Sequence, residues 1–252
     1  YNNINFDDEI TRFAFYRNFY DPYRREWDRG NSRWDIIDML RLTRALRPEG
    51  IHWPDNDFGL PSFRLEDLAE ANNVRKGRAH DAMVDVLVTI EMAKLVKCQQ
   101  PRLFDYVLRN RGKKAVTKFL DVKTGQPFFY VSGTLPSKNQ YAALMMPLAR
   151  HSNNTNAVIC TNLSSDPDLL VSLDVDELRC RLFAPARELP DETERPGLTL
   201  ISVNKCPVVT TPKLLDKTVA HRLRIDLDKC YSNWQRLREL DLTAKLKAVY
   251  DG

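Results

Sequence analysis

The chain has 252 residues, enough for two modest domains, and its 43% hydrophobic and 29% charged content excludes a disordered or fibrous protein. No apolar run approaches the ~18 residues of a membrane span and no signal-peptide pattern opens the chain, so no membrane partner is expected; the net charge of +4 is too mild to specify a polyanionic one. Five cysteines are scattered without a CxxC pair, which argues against a zinc site or a disulfide framework and points to a reducing cytoplasm.

From Asp7 to Tyr20, Ile10, Phe13 and Ala14 recur at helical spacing, and Asp7, Asp8 and Glu9 suit a positive helix start. A loop follows from Pro22 to Asn31. Ser32 is placed to cap a helix through Ile36, Ile37 and Leu40, stopped by Pro48. Residues 50–62 read as loop, and Leu65, Leu68 and Ala69 as a short helix. A longer helix is predicted from about Asp81 to Lys97, with Ala82, Val86 and Ile90 on one face. After Pro101 a basic linker (Arg102, Arg109, Arg111, Lys113, Lys114, Lys118) leads to strand-like runs at Pro127–Val131, Ala157–Thr161 and Leu198–Val203. The last thirty residues return to helix, with Tyr231, Trp234, Leu237 and Leu240 three apart. The change of character places a domain boundary near residue 100.

Three features could carry chemistry. His80 and Asp85 stand five apart at a helix start, roughly 140° around a regular helix, so His80 must lie on the preceding loop if the two are to converge. The spacing is weak evidence, because His221 and Asp226 repeat it; the bland reading is a capping histidine beside a surface aspartate. Asp7, Asp8 and Glu9 either complement the helix dipole or offer oxygens to Mg²⁺. Between Arg12 and Arg33, six arginines interleave with Phe13, Phe15, Tyr16, Phe19, Tyr20, Tyr23 and Trp27, which suits phosphates and bases of a single strand. The alternative is that half of these rings are helix core. That is expected of Phe13, and less of Tyr23 and Trp27.

These features occur together, in order, in a known family. Tyr1–Glu9 resembles the second motif of the DEDD-type 3′–5′ exonucleases, and His80–Asp85 the third motif of their histidine subclass. Phe15–Tyr23, Asn31–Asp35, Ala45–Gly50, Gly59–Glu66, Pro101–Tyr106 and Asn204–Pro207 resemble the bacterial exodeoxyribonuclease I family in particular. The resemblance implies an α/β fold, the latter part of an RNase H-like exonuclease domain, over residues 1–100, followed by an α+β SH3-like domain with a terminal helix over 101–252. It implies two Mg²⁺ ions held by four carboxylates, Asp7 being the third and Asp85 the fourth, with His80 as general base. The first motif, an Asp-x-Glu, and the family's helical C-terminal domain have no counterpart, so the chain reads as an interior piece, expected to be inactive by itself. By the same likeness, single-stranded DNA would meet Arg12, Tyr23, Trp27, Arg41, Arg47, Arg64, Tyr106 and Asn156. A cytoplasmic monomer is expected, with a single-strand-binding protein as a further partner. The alternatives are an exoribonuclease of the same superfamily and a module that grips single strands without cleaving them.

Overall fold

The computed structural model describes residues 1–4, 6–74, 82–191 and 193–251. They divide into two compact units, Tyr1–Lys113 with Val131–Ala142, and Lys114–Tyr130 with Ala143–Gly252.

The first unit is helical among its described residues. Helix α1 (Asp7–Arg17) opens with three acids. Helix α2 (Ile36–Leu46) buries Met39, Leu40, Leu42, Ala45 and Leu46. Its cap is Asp35, not Ser32: the Asp35 carboxylate accepts the Ile37 N–H from an extended backbone directly before the first turn, where a cap must sit. Ser32 stands too far ahead, and its hydroxyl accepts from Arg111 Nε instead. Helices α3 (Leu65–Ala71), α4 (Ala82–Gln99) and α5 (Pro101–Asn110) complete the unit.

Two faces depart from the sequence reading. Helix α4 packs through Val88, Met92 and Val96, one turn apart, while Ala82, Val86 and Ile90 stay exposed on the other side. Phe13, expected in the core, is 61% exposed, because the side of α1 turned inward carries Asp8. The basic linker after Pro101 is also a correction, for it is α5 and then α6 (Lys113–Phe119). Pro101 sits in the first turn of α5, and Leu103, Phe104 and Val107 are buried while Arg102 and Arg109 face water. Trp34 meets Phe104 edge to face at 5.0 Å.

The second unit is built on a sheet of order β4-β3-β2-β1-β5. Strands β1 (Phe128–Val131), β3 (Ala157–Asn162) and β4 (Leu198–Ser202) fall on the strand-like runs of the sequence. Strands β2 (Ala142–Arg150) and β5 (Val208–Thr210) were not anticipated. Strand β2 lacks β-branched residues and contains Pro147, which argues against a central strand. It is tolerated because the register against β3 slips there: Pro147 faces Cys160 and Ala149 faces Ile159, with Leu148 the extra residue of a bulge. Strand β5 lies between Pro207 and Pro212. Phe128, Phe129, Leu144, Met145 and Ile159 fill the core.

Around the sheet lie α7 (Asp168–Ser172), α8 (Val175–Phe183), α9 (Lys217–Arg222), α10 (Leu227–Arg238) and α11 (Thr243–Tyr250). A capping box of Asp174 and Glu177 starts α8. Helix α10 is anchored by Trp234 Nε1, donating to the Gly125 carbonyl at 2.7 Å, and by Asn233, donating to the carbonyls of Leu163 and Ser165. All five cysteines are free, and among the described residues no helix is long and apolar enough to cross a membrane.

Candidate active site and nucleic-acid interface

The entry to α1 is fixed by the backbone before it. Asp35 accepts the N–H of Asn2 at 2.8 Å and of Ile4 at 3.2 Å, besides that of Ile37 at 3.2 Å. Between the two pinned residues, the Asn3 carbonyl accepts from Phe6 N–H and Asp8 N–H. Asp7 therefore sits between two tethered neighbours, its side chain exposed and its carbonyl accepting from the Thr11 hydroxyl.

Asp8 has a different fate. Its side chain is 1% exposed and meets Arg25 at 2.6 Å, Arg12 at 3.6 Å and Arg33 in a shorter contact. Arg12 and Arg33 also reach Glu26, at 2.7 and 3.0 Å. Burial alone would push the Asp8 carboxyl up, but hydrogen bonds from Arg25 and Arg33 outweigh it and hold the group below the usual carboxylate range. With its oxygens taken by guanidiniums, Asp8 has little left for a metal. The run of three acids thus resolves into one buried ion-pair anchor, Asp8, with Asp7 and Glu9 exposed.

His80 lies outside the described residues. Asp85 is half-buried in the first turn of α4, with its carbonyl accepting from the Thr89 hydroxyl. No cationic side chain pairs with Asp7 or Asp85 among the described residues, where no group of three His, Cys, Asp or Glu is assembled to hold a metal. Two carboxylates without cationic partners among the described residues match the donor chemistry of a hard divalent ion, which takes oxygens and waters. The decoy pair has an ordinary explanation. Asp226 caps α10 by accepting the Lys229 N–H, and His221 is exposed in the last turn of α9.

The expected strand contacts differ in availability. Arg12 donates to Glu26 through two nitrogens and lies 5.0 Å over the Tyr23 ring, so it is committed within the ion cluster. Trp27 is 63% exposed after the 3-10 turn Arg24–Glu26, and Tyr23 is likewise open. Arg64 is exposed and pairs with Glu66 at 3.1 Å. Arg47 is half-buried at the end of α2 and donates to the Leu46 carbonyl. Tyr106 is half-buried on α5. Asn156, in the second unit just before β3, keeps a buried side-chain oxygen without a hydrogen-bond partner among the described residues.

Arg41 stands in a pocket the sequence did not announce. It donates to Asp38 at 2.6 Å and lies over the rings of Tyr141 and Phe63 at 5.3 and 5.7 Å, with Gly133 against its guanidinium. A Cβ on Gly133 would approach Arg41 Nη2 to 2.8 Å. Burial raises the Asp38 carboxyl, with Arg41 opposing. Tyr141 and Gly133 lie 92 or more positions along the chain from Arg41, so only the fold brings them together. Arg41 itself was named in the sequence only through the family likeness.

Residues 111–252 match the family model of the exonuclease I SH3-like domain. The exodeoxyribonuclease I of Escherichia coli (strain K12) is 48% identical over 239 residues, which are 95% of this chain and 50% of that protein. A crystal structure of E. coli exonuclease I in complex with a dA16 oligonucleotide agrees with a TM-score of 0.94 at 46% identity, over 100% of this chain and 54% of the other. A crystal structure of SSB/exonuclease I in complex with the inhibitor CFAM agrees with a TM-score of 0.90 at 45% identity, over 100% and 53%. The chain spans about half the length of these relatives. Its mixture of helix and antiparallel sheet, read from sequence as α/β followed by an α+β SH3-like part, is theirs. With more than half of its residues inside the SH3-like model and this likeness running along the rest, the chain belongs to the exonuclease I family.

Proposed function

We propose that the chain supplies part of the active site and of the strand-binding surface of a Mg²⁺-dependent 3′–5′ exonuclease. Its substrate is single-stranded DNA and its products are 5′-mononucleotides, in repair and recombination in the cytoplasm. The observation that carries this reading is the likeness of the whole chain to exonuclease I held with dA16. Residues 1–100 bring the catalytic groups and most of the strand contacts, and 101–252 an SH3-like part that adds to the gripping surface. Asp7 and Asp85 are metal ligands, the first exposed and the second half-buried, each in the first turn of its helix. His80 accepts the proton of the attacking water. Divalent ions, when bound, acidify that water and stabilise the departing 3′-oxygen.

The strand is met by Arg12, Tyr23, Trp27, Arg41, Arg47, Arg64, Tyr106 and Asn156, of which Trp27 and Arg64 are the most open. Guanidiniums suit phosphates, and the rings suit bases. The relative described with SSB favours a single-strand-binding protein as a partner. We take the working unit to be a monomer.

The test uses the intact protein and end-labelled single-stranded DNA. Mononucleotides should leave the 3′ end in Mg²⁺ and none should appear in EDTA. His80→Ala should slow turnover by roughly 10²–10⁴ while strand binding in EDTA is kept. His221→Ala should leave the rate unchanged. A His221 variant as slow as the His80 variant would refute the assignment.

A further inference from the structure

The Asp7 carboxylate must be held in place if it is to serve a metal, yet no side chain of the described residues grips it. What is held is the backbone on either side. Asp35 spreads one buried carboxylate over three backbone N–H groups, two of them more than thirty positions away. Such charge-assisted bonds are stronger than neutral ones, and three of them define the position of the accepting group from different directions. Asn2 has a left-handed backbone, φ 55°, a conformation asparagine adopts more readily than most residues, and its N–H is turned to Asp35. Pinned at residues 2 and 4, the chain presents the Asn3 carbonyl to the N–H groups of residues 6 and 8, and Asp7 lies between them. The same carboxylate starts α2, so the first turn of α1 is referred to the most deeply buried helix of the unit.

We propose that Asp35 is a positioning residue for the metal-binding carboxylate Asp7, acting through the segment Asn2–Ile4. The inference rests on the reading of Asp7 as a metal ligand.

Asp35→Ser separates the two duties of the side chain. A serine still caps α2 at Ile37, but it is too short to hold Asn2 and Ile4 as well. Asp35→Asn keeps the size but puts a donor in place of one oxygen, so it cannot accept at both the Oδ1 side (Asn2, Ile37) and the Oδ2 side (Ile4). In the intact protein, Mn²⁺ binding without DNA is followed by loss of the free-ion EPR signal, alongside circular dichroism and single-stranded DNA binding in EDTA. Asp7→Asn is measured in parallel. We expect both Asp35 variants to keep a cooperative fold and strand binding within about threefold of the parent, while Mn²⁺ binds at least about tenfold more weakly. Raising the metal concentration should restore much of the exonuclease rate. Mn²⁺ affinity unchanged at position 35 but lost in Asp7→Asn would overturn the positioning role alone. Affinity unchanged in Asp7→Asn would overturn the ligand assignment itself. Loss of metal binding, strand binding and fold together would make Asp35 a folding residue and end the proposal.

Discussion

Three guanidiniums around one carboxylate make Asp8 a stability element whose value depends on pH. Its pKa is lowered in the folded chain, so the folded state binds the proton less readily than the unfolded one. The stabilisation is full above the ordinary aspartate value of about 3.9 and is lost as pH falls below it through the lowered folded value. Asp8→Asn should cost about 3–5 kcal/mol at pH 7, since three arginines lose their shared partner. Urea unfolding should show that gap narrowing below pH 4, and a gap independent of pH would contradict the ion-pair account. The role of Asp8 was illegible in the sequence. Asp7, Asp8 and Glu9 are alike as letters, and only the arrival of Arg25 and Arg33 from 17 and 25 positions away distinguishes them. The exposure of Trp27 could be read, because it lies in a polar loop, whereas Arg64 was named only by the family likeness.

Helix ends and faces show where sequence reasoning works. The apolar spacing of α2 places its buried stripe, and the loop before α3 is as expected, since prolines and aspartates leave few alternatives. For α4, hydrophobic residues surround the helix, and periodicity cannot choose between the Val86 side and the Val88 side. The packing of α2, α3 and α5 selects Val88, Met92 and Val96. The other side leaves Met83, Val86, Leu87 and Ile90 open, as α1 leaves Phe6, Ile10 and Phe13. Apolar exposure on this scale should make the 252-residue chain bind a hydrophobic reporter dye. Leu87→Gln together with Ile10→Gln should reduce that fluorescence without lowering the unfolding midpoint, because both side chains are more than half exposed. A lower midpoint would mean that these faces are covered. At α10 the cap Asp226 gives a cleaner test. Asp226→Ala should cost about 1 kcal/mol in urea unfolding and leave the exonuclease rate untouched.

At the scale of the whole molecule, net charge says little about binding and the distribution of guanidiniums says more. Single-strand affinity in EDTA should fall with salt, each phosphate contact contributing about −0.7 to the slope of log K against log [salt]. Arg64→Ala should flatten that slope by up to about 0.7. Trp27→Ala should lower affinity by about 1–3 kcal/mol with the slope kept, as a stacking ring would. Unchanged affinity and slope in both would make Arg64 ordinary surface charge and Trp27 an idle ring. The sheet was legible in three strands of five, because strand-like runs bounded by turn-rich stretches mark β1, β3 and β4. Strand β2 was hidden by Pro147 and strand β5 by its three-residue length. That brevity has its own effect. A sheet edge offers unpaired backbone groups to any neighbouring chain, which is how strands recruit one another into aggregates. Here the β5 edge is only Val208–Thr210, with Pro207 before it and Pro212 shortly after, and neither proline can donate to an added strand. An incoming segment would find too few donors in register to nucleate a growing ribbon, so this margin of the sheet resists fibril formation by its own brevity.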